Sequence, residues 1–289
     1  MNDADMFAIP QLNGRREIDA GATWLREQLQ RAEHDRVVIG LSGGVDSAVT
    51  AMWASQALGT EALILVSMPY GLLSPSRFTA STPDSLAHAR RVASLLSGTD
   101  YRELDIASTV DVEADVTGLG ADLGAAPDDP GARSALGNLK ARIRAVRLRY
   151  FANRMQALVL GTENKTEHYL GYFTIGGDEE SDLELLGNYL KAEVIDLART
   201  LGVPREIIGK NPSADLWSGQ TDEGELGFTY RAADHVLHVT GCSAELTGDT
   251  ASRFDRRGHD ESSAVARASD GIQARSEAGL STYRACSLA

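Results

Sequence analysis

The chain has 289 residues, of which 43% are apolar and 24% are charged, a composition that supports a sizeable core and argues against wholesale disorder. The formal net charge is −13. A surface this acidic argues against binding nucleic acid without sequence preference, because such binding needs a basic stripe. We therefore expect no nucleic-acid partner.

Cysteine usage and the first residues of the chain bear on location. The two cysteines, Cys242 and Cys286, give neither a zinc-binding spacing nor a disulfide framework. Residues 1–10 include Asp3 and Asp5 and lack the basic and then apolar pattern of a secretion signal. No apolar run approaches the roughly 20 residues that span a bilayer. These features predict a cytoplasmic protein that does not contact a membrane.

Strands and helices are predicted to alternate along the chain. Short apolar runs ending in turn residues predict buried strands, and apolar residues at helical spacing predict helices. In chain order, the pattern predicts a helix over 18–32, a strand over 37–41, a helix over 47–58, a strand over 62–68, a helix over 83–96, a strand over 101–106, a helix over 139–156, a strand over 157–160 and a helix over 191–201. This alternation favours an α/β fold with a doubly wound, Rossmann-like parallel sheet.

Two stretches interrupt this pattern. Residues 115–133 are rich in Gly, Ala, Asp and Pro and lack clear periodicity, which predicts a loop. Residues 249–289 contain few large apolar side chains and predict a loosely ordered tail. We therefore expect one α/β domain over 1–248, followed by this tail.

The strongest motif is Ser42-Gly43-Gly44-Val45-Asp46-Ser47, between a predicted buried strand and a helix. Two glycines let the backbone approach an anion, and the helix N-terminus directs N–H groups at it. Asp46 faces a polyphosphate favourably only across a cation, which predicts a Mg²⁺ ligand. The motif lacks the Gly-Lys-Ser/Thr ending of a Walker A loop. The alternative is an ordinary turn in which Asp46 and Ser47 cap a helix.

Further polar segments follow later strands. Gly161–Glu167 comes directly after a predicted strand, where ligands bind in open parallel sheets. Thr162 is a candidate to bond a phosphate or ribose, and Glu167 is a candidate for a second Mg²⁺ ligand. A capped helix start explains the segment equally well. The polar stretches 171–182 and 212–227 are compatible with either ligand binding or surface turns.

Taken together, these segments resemble the NAD synthetase family. The resemblance covers roughly residues 18–237 and is carried, in order, by LSGGVDS, MPY with a following SP, GNLKAR, LVLGTENKTE, LGYFT with a following GD, and NPSADLWSGQTDEGELGFTY. Other N-type ATP pyrophosphatases share the first motif, whereas the last is the most specific to the family. The resemblance implies the adenine-nucleotide alpha-hydrolase-like form of the Rossmann-like fold.

The resemblance also implies an activity, a ligase reaction that amidates deamido-NAD to NAD with ATP and ammonia. ATP would adenylate the nicotinate carboxylate with release of pyrophosphate, and ammonia would then displace AMP. The phosphate loop near residue 40 leaves no space before it for a glutaminase, so free ammonia is the expected nitrogen source. Mg²⁺ is the implied cofactor, and a homodimer with the dinucleotide at its interface is the implied assembly.

Site residues follow from the resemblance, motif by motif. The implied ATP-binding residues are Ser42, Gly43, Gly44, Val45, Asp46, Ser47, Thr162, Lys191 and Ser213. The implied metal ligands are Asp46 and Glu167, and the implied catalytic residues are Asp46 and Lys191. The implied contacts to deamido-NAD are Arg142 and Asp182.

Departures from the family pattern lie on the side of the acid substrate. Ile175 stands where some members have a lysine, Glu179 and Glu180 follow Asp178 in place of glycine, and Leu185 replaces a proline. Added carboxylates near an anionic dinucleotide are repulsive unless they point away. These departures leave two alternatives open: an ammonia-dependent ligase for a different carboxylate, or a nucleotide-binding relative without activity.

Overall fold

The computed structural model describes residues 9–78, 80–117, 130–217 and 219–239, and its centre is a five-stranded parallel sheet. The strands are β1 (Val37–Gly40), β2 (Leu63–Ser67), β3 (Asp100–Glu103), β4 (Leu158–Gly161) and β5 (Leu183–Glu184). Their order in the sheet is β3-β2-β1-β4-β5, and every pairing is parallel. The chain order therefore reverses between β1 and β4, which is the position where ligands bind in doubly wound sheets.

Helices connect and cover these strands. In chain order they are α1 (Gly14–Arg31), α2 (Val45–Leu58), a 3₁₀ turn (Thr60–Ala62), α3 (Pro83–Leu95), α4 (Ala107–Val116), α5 (Pro130–Met155), α6 (Lys165–Leu170), α7 (Lys191–Leu201), α8 (Arg205–Ile208), α9 (Asp222–Leu226) and α10 (Tyr230–Val239). Within the described ranges, no helix has both the length and the apolar content that a bilayer-spanning segment needs.

Both faces of the sheet are buried, as a doubly wound fold requires. Val37 and Ile39 of β1 belong to the apolar cluster that also contains residues of α1, α2 and α7. Val38, between them, belongs to a second cluster that includes residues of α4 and α5. Because successive side chains of a strand point to opposite faces, this alternation places helical layers on both sides of the sheet.

Most predicted elements agree with the structure, and the predicted doubly wound parallel sheet is confirmed. The helix predicted over 191–201 has these bounds, and it ends because Gly202 adopts the left-handed conformation at φ 79°. The first helix begins four residues earlier than expected. Its start is fixed by Asn13, whose side chain accepts a hydrogen bond from the Arg16 backbone N–H.

Two predictions of local structure are wrong. The strand predicted over 101–106 ends at Glu103. Asp105, two residues later, accepts a hydrogen bond at 2.8 Å from the N–H of Ala107, the first residue of α4. The loop predicted over 115–133 is too wide, since α4 continues to Val116 and α5 begins at Pro130. The central residues 118–129 and the predicted tail 249–289 lie outside the described residues.

Candidate active site

The turn between β1 and α2 is held together by its own serines. The Ser42 and Ser47 hydroxyls lie 3.1 Å apart, Gly44 N donates to Ser42 Oγ, and Ser47 Oγ donates to Gly44 O. These bonds fix the loop directly in front of the N-terminus of α2. The polar side chains of the loop are therefore held in place before any ligand arrives.

The two loop glycines have different roles. Gly43 has φ +83°, and a Cβ added there would lie 1.9 Å from the backbone oxygen of Ser85. Gly44 has φ −84°, and an added Cβ would meet Ser42 Oγ at 3.4 Å, an ordinary contact. Gly43 is therefore required by the fold of the loop, whereas Gly44 keeps open the surface that faces the cavity.

A cavity of about 270 Å³ lies at the carboxyl ends of β1 and β4. Its wall includes nearly all the residues that the sequence assigned to ATP and metal: Ser42, Gly44, Val45, Asp46, Ser47, Thr162, Glu167, Lys191 and Ser213. Gly43 lies behind this wall, against α3. Apolar side chains from β2, α3 and α5 line another part of the cavity, among them Val66, Leu86 and Leu148. The cavity thus combines a polar side with an apolar side suited to a flat ring.

Lys191 connects the two predicted metal ligands. Its Nζ donates to Asp46 Oδ2 at 2.7 Å and to Glu167 Oε1 at 3.0 Å, and the Lys191 side chain is only 7% exposed. Burial alone would lower the pKa of Lys191, but the two carboxylates raise it above its ordinary value. Lys191 is therefore a charged ammonium at neutral pH, held at the first position of α7.

Asn164 accounts for both interpretations of the Gly161–Glu167 segment. Its Oδ1 accepts a hydrogen bond from Glu167 N, and its backbone N–H donates to Glu167 Oε2, which forms a capping box at the start of α6. Its Nδ2 also donates to Asp46 Oδ1 at 2.9 Å. The capped helix start therefore holds the predicted metal ligand Glu167 in place, rather than being an alternative to that role.

Asp222 and two tyrosines border the same site and were not predicted from the sequence. Tyr230 donates to Asp222 Oδ2 at 3.0 Å, and Tyr172 donates to Asp222 Oδ1 at 3.2 Å. The Tyr230 ring also lies 4.9 Å from Lys191 Nζ, a cation–π contact. Burial raises the pKa of Asp222. The only signal in the sequence was the family-specific segment 212–230, which contains Asp222 and Tyr230.

Two further basic groups that the sequence did not single out line the cavity. Arg144, one helical turn before Leu148, donates through Nε to Met68 O at 3.0 Å. Lys210 donates to Ser85 Oγ at 2.8 Å, beside the phosphate loop. Burial lowers the pKa of both groups. Arg144 lies in a run of several basic residues and Lys210 lies in a loop, so neither is distinguished by its sequence context.

Lys140 supports the loop that contains Ser213. This buried lysine of α5 donates to Leu216 O at 2.7 Å, and its ammonium lies 4.1 Å from the Tyr70 ring. Burial, with a smaller contribution from nearby Arg144, lowers the pKa of Lys140 to about 8. Lys140 thus holds the 213–217 loop against α5 from behind the cavity.

Arg142 and Asp182, the residues that the resemblance assigned to deamido-NAD, are not among the described residues that line the cavity. Arg142 Nε donates to Ile175 O on the surface. Asp182 accepts from Arg149 Nη1 at 2.5 Å and from Val159 N at 2.7 Å, so its carboxylate secures the approach of β5 to β4. The structure groups the ATP and metal residues but leaves these two outside the group.

The charges around the cavity are unbalanced. Among the described residues that line it, seven are acidic (Asp46, Glu163, Glu167, Asp178, Glu180, Asp215 and Asp222) and three are basic (Arg144, Lys191 and Lys210). A polyphosphate entering this space would be repelled unless cations accompany it. The described lining of the cavity is therefore net acidic, which disfavours a polyphosphate without accompanying cations.

A parallel sheet whose serine- and glycine-rich loop faces a cavity at its switch point defines a PP-loop protein with a Rossmann-like α/β fold. Residues 17–255 match the model of the NAD synthase family. The chain belongs to the NAD synthase family.

Relatives that carry the name NH(3)-dependent NAD(+) synthetase agree with this assignment. The NH(3)-dependent NAD(+) synthetase of Methanocaldococcus jannaschii is 44% identical over 216 residues, which are 75% of this chain and 77% of that protein. The enzyme of the same name from Carboxydothermus hydrogenoformans is 39% identical over 247 residues, or 86% and 94% of the two chains.

The structure of NMN synthetase from Francisella tularensis is similar with a TM-score of 0.68 at 26% identity, over 96% of this chain and 100% of that one. The NH3-dependent NAD synthetase from Campylobacter jejuni, in complex with the nitrate ion, has a TM-score of 0.63 at 23% identity, over 94% and 99% of the chains. At 23% identity, the similarity to the Campylobacter jejuni structure shows only that the fold is shared.

The two loop glycines give a testable contrast. Gly43→Ala should destabilise the protein by at least about 1–2 kcal/mol, because alanine is strained at a positive φ and its Cβ meets the Ser85 backbone. The free energy of unfolding of Gly44→Ala should lie within about 0.5 kcal/mol of the wild-type value, yet this variant should bind ATP more weakly. Urea unfolding and calorimetric titration with MgATP measure the two effects, and equal stabilities of the two variants would contradict the assignment.

Proposed function

We propose that this chain catalyses the ATP-dependent amidation of deamido-NAD to NAD, with ammonia as the nitrogen donor and AMP and pyrophosphate as the other products. The observation that carries the proposal is the convergence of the Ser42–Ser47 loop, Thr162, Glu167, Lys191 and Ser213 on one cavity. This convergence occurs in a chain that is 44% and 39% identical to two proteins named NH(3)-dependent NAD(+) synthetase.

In the first step of the proposed reaction, a carboxylate oxygen of the substrate attacks the α-phosphorus of ATP. The bond from that phosphorus to the bridging oxygen breaks, and pyrophosphate leaves with the electron pair. In this proposal, the Ser42 and Ser47 hydroxyls and the ammonium of Lys191, which line the cavity, would stabilise the negative charge that accumulates on the phosphates. Because these groups are already fixed by hydrogen bonds, little reorganisation accompanies the step.

In the second step, ammonia attacks the carbonyl carbon of the acyl-adenylate. The bond between this carbon and the AMP oxygen breaks, AMP leaves, and a proton is lost from nitrogen to give the neutral amide. The cavity wall contains several carboxylates, including Asp178 and Glu163, which favour a cationic form of the nitrogen source at its entry.

Asp46 and Glu167 fit the proposed Mg²⁺ site. Carboxylate oxygens are the ligands that Mg²⁺ prefers, and both carboxylates contact the same Lys191 nitrogen, so they are within reach of a single cation. Two protein carboxylates suit a metal whose remaining ligands are phosphate oxygens and water. When bound, Mg²⁺ would supply positive charge that neutralises the phosphates in this acidic cavity.

We also propose that the chain forms a homodimer through the exposed face of α5. Arg142, Val146 and Tyr150 are spaced by four residues and therefore share one face of that helix. Val146 is 66% exposed and Tyr150 64%, and the neighbouring Ile175, which accepts from Arg142, is 52% exposed. Exposed apolar side chains that lie together on one helix face are candidates for an association surface. Separately from the dimer, we propose a cytoplasmic location, where ATP is available.

A second candidate function is amidation of a smaller nicotinate derivative. The similarity to the protein named NMN synthetase favours it, because a mononucleotide lacks the adenylate half of the dinucleotide. The positions of Arg142 and Asp182, which lie outside the cavity and are already hydrogen-bonded, favour it as well.

The dependence of pyrophosphate release on the acid distinguishes these functions. With MgATP and ammonium, we expect release that requires deamido-NAD and yields one NAD and one AMP per pyrophosphate. Nicotinate mononucleotide and free nicotinate serve as parallel substrates. Release with the mononucleotide alone would establish the second candidate, and no release with any acid would contradict both.

Replacing Asp46 tests the metal site. Asp46→Asn should lower kcat by roughly 100-fold or more, because the cavity loses the charge that holds a metal next to the phosphates. The control is Asp35→Asn, which alters an exposed carboxylate at the opposite end of β1 and should keep wild-type turnover. Titration of both variants with Mn²⁺ in the presence of ATP separates metal loss from misfolding. An Asp46→Asn enzyme with full activity would disprove the role.

The proposed dimer is tested by Val146→Glu. A charge at the centre of the exposed α5 face should shift the sedimentation equilibrium towards the monomer, because burying a carboxylate in the interface without an opposite charge is costly. Val112→Glu, on the exposed side of α4, is the matched control. A wild-type chain that sediments as a monomer at micromolar concentration would exclude the dimer.

A further inference from the structure

The N-terminus of α7 is capped by residues of two other helices. The residue at its N-cap position is Leu190, whose side chain has no oxygen that accepts a hydrogen bond. Instead, the Lys191 N–H donates to Thr166 Oγ1 of α6 at 3.0 Å, and the Ala192 N–H donates to Asp234 Oδ2 of α10 at 2.8 Å. Two of the first helical N–H groups therefore depend on side chains that are distant in the sequence.

Thr166 and Asp234 are also bonded to each other. The Thr166 hydroxyl donates to Asp234 Oδ1 at 2.5 Å, and both residues are completely buried. Because the hydroxyl gives its one proton to the carboxylate, its lone pairs remain available to accept from Lys191 N. A negative charge at a helix N-terminus is favourable, which suits a carboxylate at this position. The three residues thus form one satisfied, buried network.

This network lies directly beneath the proposed catalytic groups. Lys191 is the first residue of α7, and Thr166 is followed in the chain by Glu167. On α10, Tyr230 precedes Asp234 by one helical turn, donates to Asp222 and lies against the Lys191 ammonium. The same helix therefore holds the backbone of Lys191 through Asp234 and borders its side chain through Tyr230.

We propose that Asp234 is a positioning residue for the adenylation step: acting with Thr166, it fixes the backbone of Lys191 relative to Glu167 and so places the ammonium at the phosphates. This inference rests on the proposed function, in which Lys191 contacts ATP. Asp234 itself does not touch the substrate. Asp234 acts directly by accepting from Ala192 N. It acts indirectly by accepting from the Thr166 hydroxyl, which in turn accepts from Lys191 N.

The first test is Asp234→Asn. The amide keeps the shape of the carboxylate but presents an NH₂ group either to Ala192 N–H or to the Thr166 hydroxyl, so one buried donor loses its acceptor. We expect kcat for pyrophosphate release to fall by roughly 10- to 100-fold per folded molecule, because a small displacement of a reacting group has effects of this size. The KM for ammonia should stay within about twofold of the wild type.

Substitutions of Thr166 test the same network from the other side. Thr166→Val removes the hydroxyl at nearly constant volume and should lower kcat as Asp234→Asn does, whereas Thr166→Ser keeps the hydroxyl and should restore most of the activity. If the two residues act as one unit, the double variant Thr166→Val/Asp234→Asn should lose no more than the worse single variant. The comparison of Thr166→Val with Thr166→Ser also remains informative if Asp234→Asn does not fold.

Glu17→Gln is the control for a purely structural effect. The Glu17 carboxylate accepts from the Tyr189 hydroxyl at 3.0 Å, and both residues are buried and are not among the described residues that line the cavity. This variant should lower the melting temperature while leaving kcat per folded molecule within about twofold. A loss of stability alone therefore does not reproduce the effect expected for Asp234.

Equilibrium binding separates this inference from the proposed function. A fluorescent ATP analogue with Mg²⁺ should bind Asp234→Asn and Thr166→Val at least several-fold more weakly than the wild type, Thr166→Ser or Glu17→Gln. This readout remains if the wild-type enzyme does not turn over deamido-NAD, an outcome that would count against the proposed function alone. Folded Asp234→Asn with wild-type kcat and wild-type affinity for the analogue would overturn the positioning role.

Discussion

The charge balance around Lys191 is the constraint on which the site depends. Asp46 and Glu167 are brought into a largely water-excluded wall, where isolated carboxylates are costly, and one ammonium contacts both. The three groups come from α2, α6 and α7, so their meeting requires the central strands and these helices to be in register. The Asn164 bridge to Asp46 and the Tyr230 contact from α10 fix the geometry of this group.

The fold was largely predictable from the sequence because its strands are short apolar runs that end in turn residues. The 191–201 helix was found with the correct bounds, since its apolar spacing and the following Gly202 both act locally. The 107–116 helix was missed because its start depends on Asp105, a side chain that also accepts from Gly71 and Leu73 far along the chain. Elements defined by such tertiary bonds leave little trace in local periodicity.

The grouping of the Ser42–Ser47 residues at one cavity was predictable, because glycine and serine residues that suit anion binding occupy adjacent positions in the sequence. Arg144 and Lys210 were not, because nothing local distinguishes a lysine or arginine that faces a cavity from one that faces water. Arg142 and Asp182 show the opposite difficulty. Their assignment to deamido-NAD stays a prediction, and the structure places them in a surface contact and in the sheet edge.

The pairing of β1 with β4 has a consequence for how the chain reaches its active form. Val37 and Val38 align with Leu158 and Val159, so the two halves of the nucleotide cavity come from regions that are remote in the chain. Such non-local pairing forms slowly, because a large loop must close before the contacts form. A chain in which β1 and β4 are not paired therefore lacks one half of the cavity wall, and a complete cavity requires this long-range pairing.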